Sequence, residues 1–241
     1  ASDVGCHAQT RLGVQKRLNH NTPKPFGLRV APHPLPQGIS LEHGEGNFPP
    51  GLLCSLREDC SCLFGMKGSA MELKDKVTVV SGASSGLGRS IAKAVAAEGA
   101  NVALLARTEE KLEQVKREIE QAGGAALAVP MDITSPDAVE RAVTAVVKHW
   151  GGIDVLVNNA GLGIFKHVHD MTLEEWDTHI NVMLRGAFLL TKSCLPHLYQ
   201  RKRGHIVMIS SLWAKRFCAK CAGYTAAKYG LRGFADSLRE E

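Results

Sequence analysis

Val77-Thr78-Val79-Val80 runs directly into Ser81-Gly82-Ala83-Ser84-Ser85-Gly86-Leu87-Gly88, and the reading of these twelve residues decides the fold. Four β-branched side chains in succession suit a buried strand, the glycines that follow break it, and Arg89 to Glu98, closed by Gly99, has the text of a helix. The unit is strand, glycine loop, helix. Beyond it the alternation continues. Asn101 to Ala106 and Ala125 to Val129 read as apolar strands, and between them Glu109 to Gln121 is a charged amphipathic helix ending at Gly123-Gly124. Ser135 with Pro136 after it opens a helix to Trp150. Ile153 to Val157 is a fourth strand, and Thr172-Leu173-Glu174-Glu175 has the form of a capping box that starts one long helix to about Gln200. His205 to Ile209 is a fifth strand, followed by a helix from about Gly223 to Glu240. Strands alternating with helices of this length predict a doubly wound parallel α/β sheet, with function at the loops that follow the strands.

The first 70 residues are of another kind. They hold seven of the ten prolines, in runs such as Pro32-His33-Pro34-Leu35-Pro36, and show no sustained apolar period. The expectation is an irregular, disordered extension over residues 1–70 and one nucleotide-binding domain over 71–241, with Met71 resembling a natural start and the extension an upstream or fusion segment. The net charge of +5 is mild and dispersed, so it does not suggest a nucleic-acid surface. No run of eighteen apolar residues exists and no secretory signal opens the chain, which makes the cytosol the default compartment and leaves no membrane span. The seven cysteines, four before residue 71 and three after, do not form the pattern of a disulfide framework. Cys218 and Cys221 have CxxC spacing, but nothing completes a zinc site around them, so neither a metal nor a redox role is expected.

Of three tyrosines, only Tyr224 has a lysine four residues on, at Lys228, where a helix puts both on one face. A free tyrosine is a poor acid or base at neutral pH, and a nearby ammonium favours its phenolate. A packed ring beside a solvated charge is the plainer account of the same pair. At the other end of the domain, Gly82, Gly86 and Gly88 let the backbone turn sharply and approach a pyrophosphate at a helix N-terminus. Their spacing, G-x3-G-x-G, differs from the common dinucleotide pattern G-x-G-x-x-G. With Ser81 before them it resembles the glycine motif of the short-chain dehydrogenase/reductase family.

Further elements carry the resemblance in order. Asn158-Asn159-Ala160-Gly161 follows the fourth strand, Ser211 ends the fifth and precedes Tyr224 by thirteen residues, and Asn181 lies in the long helix in Ile180-Asn181-Val182. Each has a plainer reading as turn former, helix cap or exposed polar residue; together and in register they are similar to that family over residues 73–241. The resemblance implies a Rossmann-type fold and hydride transfer between a nicotinamide and a carbonyl or secondary alcohol of a small molecule. Tyr224 would be general acid or base, Ser211 would hold the substrate oxygen, Lys228 would tune Tyr224 and bind the nicotinamide ribose, and Asn181 would hold a water linking Lys228 to solvent. Ser84, Ser85, Leu87, Asn159, Ala160 and Gly161 join the three glycines on the cofactor side. The second strand closes on Arg107, nineteen residues beyond Gly88, with no acid in its place, so NADP(H) is the expected cofactor and NAD(H) the alternative. Asp132 matches the family's adenine-contacting aspartate and would serve equally as a turn residue.

Lys215, Arg216 and Lys220 lie between Ser211 and Tyr224, where they could attract an anionic substrate group or be a solvated basic loop; Leu212, Trp213 and Phe217 could line a pocket or pack the loop. Family members usually continue through two more strands, and the sequence stops at Glu241. The expectation is a sheet lacking those strands, with an inactive nucleotide- or partner-binding fragment as the alternative to an enzyme. A homodimer or homotetramer is expected of the parent protein.

Overall fold

The computed structural model describes residues 72–241, so the expectation for residues 1–70 lies outside the described residues. Five strands form one parallel sheet in the order β3-β2-β1-β4-β5: β1 Val77–Ser81, β2 Asn101–Ala106, β3 Ala125–Pro130, β4 Val155–Asn158 and β5 His205–Met208. The order reverses at β1, which pairs with β2 on one side, Val77 opposite Asn101, and with β4 on the other, Thr78 opposite Val155. Ligands of open parallel sheets bind at such a reversal, outside the carboxyl ends of the strands. Among the described residues β3 and β5 are the sheet edges.

Every residue of β1 is buried, as a central strand covered on both faces requires. One face packs under α1 (Gly86–Ala97) and α2 (Glu109–Gln121), whose buried Ala92, Ala96, Leu112, Val115 and Ile119 recur at helical spacing against Val80, Val102 and Leu104. The other face packs under α3 (Pro136–Trp150) and α5 (Gly186–Arg201), where Val139, Val143, Val146, Leu190 and Cys194 meet Val79, Leu105 and Leu156. Each fully buried Leu or Val contributes about 1.5–3 kcal/mol relative to exposure.

Helix ends follow the sequence signals. The Ser135 hydroxyl accepts the Ala138 N–H at 3.3 Å, Pro136 takes the first position, and Gly151 leaves α3 at φ 77°. Thr172 and Glu175 complete a reciprocal capping box at the start of α4 (Leu173–His179), with bonds of 3.1 and 3.0 Å.

The long helix expected from Thr172 to Gln200 forms as one helical run with a change of geometry inside it. A π-helical turn over Ile180–Arg185 separates α4 from α5. The chain widens there without losing direction, because the Gly186 N–H bonds the Asn181 carbonyl, five residues back. The last helix, α6 (Ala222–Leu238), packs on α4 and the π turn, with Phe188 of α5 and Phe234 of α6 edge to face at 6.1 Å between centroids.

Candidate active site

A cleft of about 1020 Å³ lies at the carboxyl ends of the strands, centred on the β1/β4 reversal. Its first wall is the glycine loop. Gly82 turns at φ +68° and Gly86 at φ +53°, in the left-handed region that favours glycine. Gly88 is tight rather than twisted: a Cβ there would overlap the Gly82 carbonyl and the Asn159 amide. α1 is thus drawn close to the strand end. Ser85 stands at its N-cap without a side-chain bond, no acid occupies the first turn, and the first helical bond runs from the Arg89 N–H to the Ser85 carbonyl. The N–H groups of Gly86, Leu87 and Gly88 therefore have no helical acceptor, and all three residues line the cleft beside Ser84. This positive helix end, without a competing carboxylate, fits a diphosphate.

The second wall is tied to the first through one buried serine. The Ser81 hydroxyl donates to the Val157 carbonyl at 3.3 Å and accepts the N–H groups of Asn159 at 3.0 Å and Ala160 at 3.1 Å. The Asn159 amide donates back to the Ser81 carbonyl at 2.9 Å, and buried Asn158 donates to Thr191 on α5 at 2.9 Å. The pair of asparagines therefore locks the loop after β4, with Gly161, to the glycine loop and to α5.

The third wall carries Ser211, Tyr224 and Lys228. The Ser211 hydroxyl accepts the Trp213 N–H at 3.2 Å, capping a short 3₁₀ turn (Leu212–Ala214) while keeping its own proton to donate. Tyr224 is half-buried in the first turns of α6, with the Phe165 ring 5.9 Å away. Lys228, 4% exposed, donates to the Ile209 carbonyl at 2.7 Å, and its Nζ lies 5.8 Å from the Tyr224 ring centre. Burial pushes the Lys228 ammonium below the ordinary lysine value. Asn181 lines the cleft from the π turn. The buried residue of that turn is Met183, packed toward Gly161.

The fourth wall comes from β2 and β3. Arg107 is exposed just past the end of β2, and Lys111, four residues on in α2, lines the cleft beside it. Asp132 follows β3; the Thr134 N–H at 2.9 Å and hydroxyl at 2.8 Å, with the Arg107 charge, hold its carboxyl below the usual carboxylate range. Asp132 is therefore a turn former that also faces the cleft, so both of its readings apply.

The cleft collects Gly82, Ser84, Ser85, Gly86, Leu87, Gly88, Arg107, Asp132, Asn159, Ala160, Gly161, Asn181, Ser211, Tyr224 and Lys228 along one surface. Sequence reasoning missed Lys111, Phe165 and His179. Lys111 was legible as a cation four residues from Arg107. His179 is fully buried, takes the Ile164 N–H on Nε2 at 2.9 Å and meets the Glu175 carbonyl through Nδ1 at 2.8 Å, so it fixes the loop that carries Phe165. Nothing in its sequence neighbourhood announces that.

Two expectations about the Ser211–Tyr224 segment change. Trp213 lines the cleft, whereas Leu212 and Phe217 stand in solvent, the latter 86% exposed. Cys218 and Cys221, expected to belong to no disulfide framework and to have no metal or redox role, are joined in a disulfide. The count of cysteines could not reveal this, because the pair closes a four-residue ring on itself rather than joining distant elements.

With this fold and cleft, the chain belongs to the short-chain dehydrogenase family: the family model described as short chain dehydrogenase matches residues 76–241. It is an oxidoreductase family. Among curated relatives, the chain is similar to a fatty acyl-CoA reductase of Acinetobacter baylyi, 38% identical over 171 residues, which are 70% of this chain and 58% of the relative. It is also similar to dehydrogenase/reductase SDR family member 7 of Mus musculus, 37% identical over 174 residues, 70% of this chain and 52% of that protein. The chain thus spans little more than half the length of these two relatives. A metagenomic short-chain oxidoreductase solved in complex with NADP superposes with a TM-score of 0.68 at 44% identity, over 70% of this chain and 77% of that one. An actinorhodin polyketide ketoreductase variant solved with NADPH gives 0.67 at 36% identity, over 68% and 64%.

Proposed function

We propose that the chain is the catalytic part of an NADP(H)-dependent oxidoreductase acting on a carbonyl or secondary alcohol. The observation that carries this reading is the meeting of Ser211, Tyr224 and Lys228 on one wall of a cleft whose opposite wall is a glycine cradle at an uncapped helix N-terminus. A bound nicotinamide dinucleotide supplies the hydride in reduction and accepts it in oxidation. The residues of this chain do the rest. The open N–H groups of α1 hold the diphosphate, and Arg107 with Lys111 meets a ribose 2′-phosphate, which two cations attract more strongly than a hydroxyl. The Ser211 hydroxyl donates to the substrate oxygen and holds it against Tyr224, whose phenol gives up its proton as charge develops there. Lys228 places a positive charge beside that ring, and its bond to Ile209 keeps it from swinging away. Phe165 and Trp213 put aromatic surface at the mouth and favour an apolar substrate, in keeping with the name of the Acinetobacter relative. Association of the whole protein into a homodimer or homotetramer through α5 and α6 belongs to the same proposal.

The test follows NADPH absorbance with a panel of ketones and acyl thioesters of increasing chain length. Consumption that depends on both substrate and protein is expected, with NADPH bound at least about tenfold more tightly than NADH. Equal affinities would overturn the cofactor preference, and no consumption across the panel in a chain that binds NADPH would overturn the catalytic reading.

A further inference from the structure

The Cys218–Cys221 bridge lies between Ser211 and Tyr224, at the entrance to the helix that carries Tyr224 and Lys228. Cys221 is 6% exposed and is the N-cap residue of α6; its carbonyl accepts the Thr225 N–H at 2.7 Å, in the turn that holds Tyr224. Cys218 is half-buried and opens toward solvent through Phe217 on one side and the exposed pair Ala219 and Lys220 on the other. Lys215, Arg216 and Lys220 are all exposed, and none forms an ion pair among the described residues. Lys220, inside the four-residue ring, is held at φ +67°, a conformation uncommon for a side chain of its kind.

We propose that Cys218–Cys221 is a thiol–disulfide exchange site that takes a dithiol reductant and sets the order of the Tyr224 helix start. The asymmetry of the pair gives the direction of attack. A thiolate of the dithiol reaches Cys218 Sγ, the more accessible sulfur, and forms a mixed disulfide with it. The bond between the two cysteine sulfurs breaks and its electron pair leaves on Cys221 Sγ. That thiolate forms at the N-terminus of a seventeen-residue helix, where the backbone N–H groups stabilise a negative charge and make Cys221 the better leaving group. The second thiol of the dithiol, deprotonated, then attacks its own sulfur in the mixed disulfide and releases Cys218 as thiolate. The dithiol ends as a cyclic disulfide, two electrons have passed to the cysteines, and its two thiol protons end on them or in solvent. The three unpaired lysine and arginine side chains favour both the incoming and the released thiolate.

Opening the ring removes the covalent closure between the loop and the helix. Among the described residues, the remaining side-chain hydrogen bonds from α6 to the segment after β5 are those of Lys228 to the Ile209 carbonyl, at 2.7 Å, and of Arg232 to the Ala214 carbonyl, at 3.5 Å, both on the far side of the exposed residues 215–217. Lys220 can then leave its left-handed conformation, and the first turn of α6 loses the residue arrangement that holds its N-cap. The effect on turnover rests on the proposed role of Tyr224; the effect on local order does not.

The test uses the full chain, oxidised and after dithiothreitol under native conditions, with peptide-resolved alkylation and amide hydrogen exchange followed by mass spectrometry. Cys218 and Cys221 are expected to become alkylated together, whereas Cys194, whose thiol burial pushes up to about 12, stays unmodified until the protein is denatured. Exchange over residues 212–226 is expected to quicken by about tenfold or more on reduction while β1 and β2 do not change. The C218S/C221S double variant should match the reduced wild type and no longer respond to dithiothreitol, and with a substrate in hand NADPH turnover should fall and recover with the redox state. A pair that stays oxidised in the folded protein, or a helix start whose exchange is the same in both states, would overturn the proposal. The wild-type exchange comparison decides it even if the double variant fails to fold or the chain turns over no substrate.

Discussion

Single residues of the cleft differ in the physical reason each is needed, and substitutions separate those reasons. Gly88 is required by contact: alanine there collides with the Gly82 carbonyl and the Asn159 amide, so Gly88→Ala is expected to destabilise the domain by about 1–3 kcal/mol through overpacking. Differential scanning calorimetry with and without NADPH reads this loss together with the weakened nucleotide response. If Arg107 meets the 2′-phosphate as proposed, Arg107→Ala should weaken NADPH binding about tenfold while leaving NADH nearly unchanged, a split that titration calorimetry measures. Asn181 lines the cleft from the π turn, and its expected link to Lys228 runs through a water. If Asn181 connects Lys228 to solvent, Asn181→Ala should lower kcat about fivefold to tenfold with KM unchanged. Unchanged kcat would reduce the set to Ser211, Tyr224 and Lys228. The three glycines and the Tyr-Lys pair were legible because each is a residue type with a spacing. His179 was not, since its importance comes from what the fold brings beside it.

Elements were read from the sequence where caps and periodicity agree, and misread where a helix changes its own geometry. Glu109–Gln121 and Pro136–Trp150 form as expected because apolar positions at i, i+3 and i+7 and clear end signals point the same way. The π turn at Ile180–Arg185 was invisible, since the apolar text through it continues without a glycine or proline until Gly186. It is the packing of α6 against this stretch, a tertiary matter, that accompanies the widened turn. A tie between elements also gives a pH signature. On α2, Glu118 accepts bonds from Arg89 and Lys93 of α1, and the Arg89 bond above all holds its carboxyl down at about 2. A carboxyl depressed in the folded state stabilises it fully above the ordinary value near 4.5, and that contribution is lost as pH falls toward 2. Glu118→Gln should therefore flatten the fall in stability between those limits relative to wild type, as followed by urea unfolding at a series of pH values. The two curves should converge in slope at neutral pH.

At the scale of the molecule, the doubly wound sheet explains why residues as far apart as Gly82 and Lys228 share a surface. The order β3-β2-β1-β4-β5 gathers the loops after β1, β2, β4 and β5 at one end of the sheet, and the Ser81 hydroxyl with the Asn159 amide ties the first to the third. Strand alternation was enough to place those loops at one end. It could not show that the Cys218–Cys221 bridge closes the segment between Ser211 and Tyr224, because a pairing over so short a span leaves no periodic trace. The central claim is that this surface is a hydride-transfer site in which the Tyr224 hydroxyl moves the proton, and one variant separates chemistry from binding. Tyr224→Phe keeps the ring, its contact with Phe165 and the cleft, and removes only the hydroxyl. NADPH turnover with the best carbonyl substrate, measured beside NADPH affinity, should show kcat reduced by about 10²- to 10⁴-fold with affinity within about twofold of wild type. A variant that turns over at the wild-type rate while binding NADPH as well would contradict it.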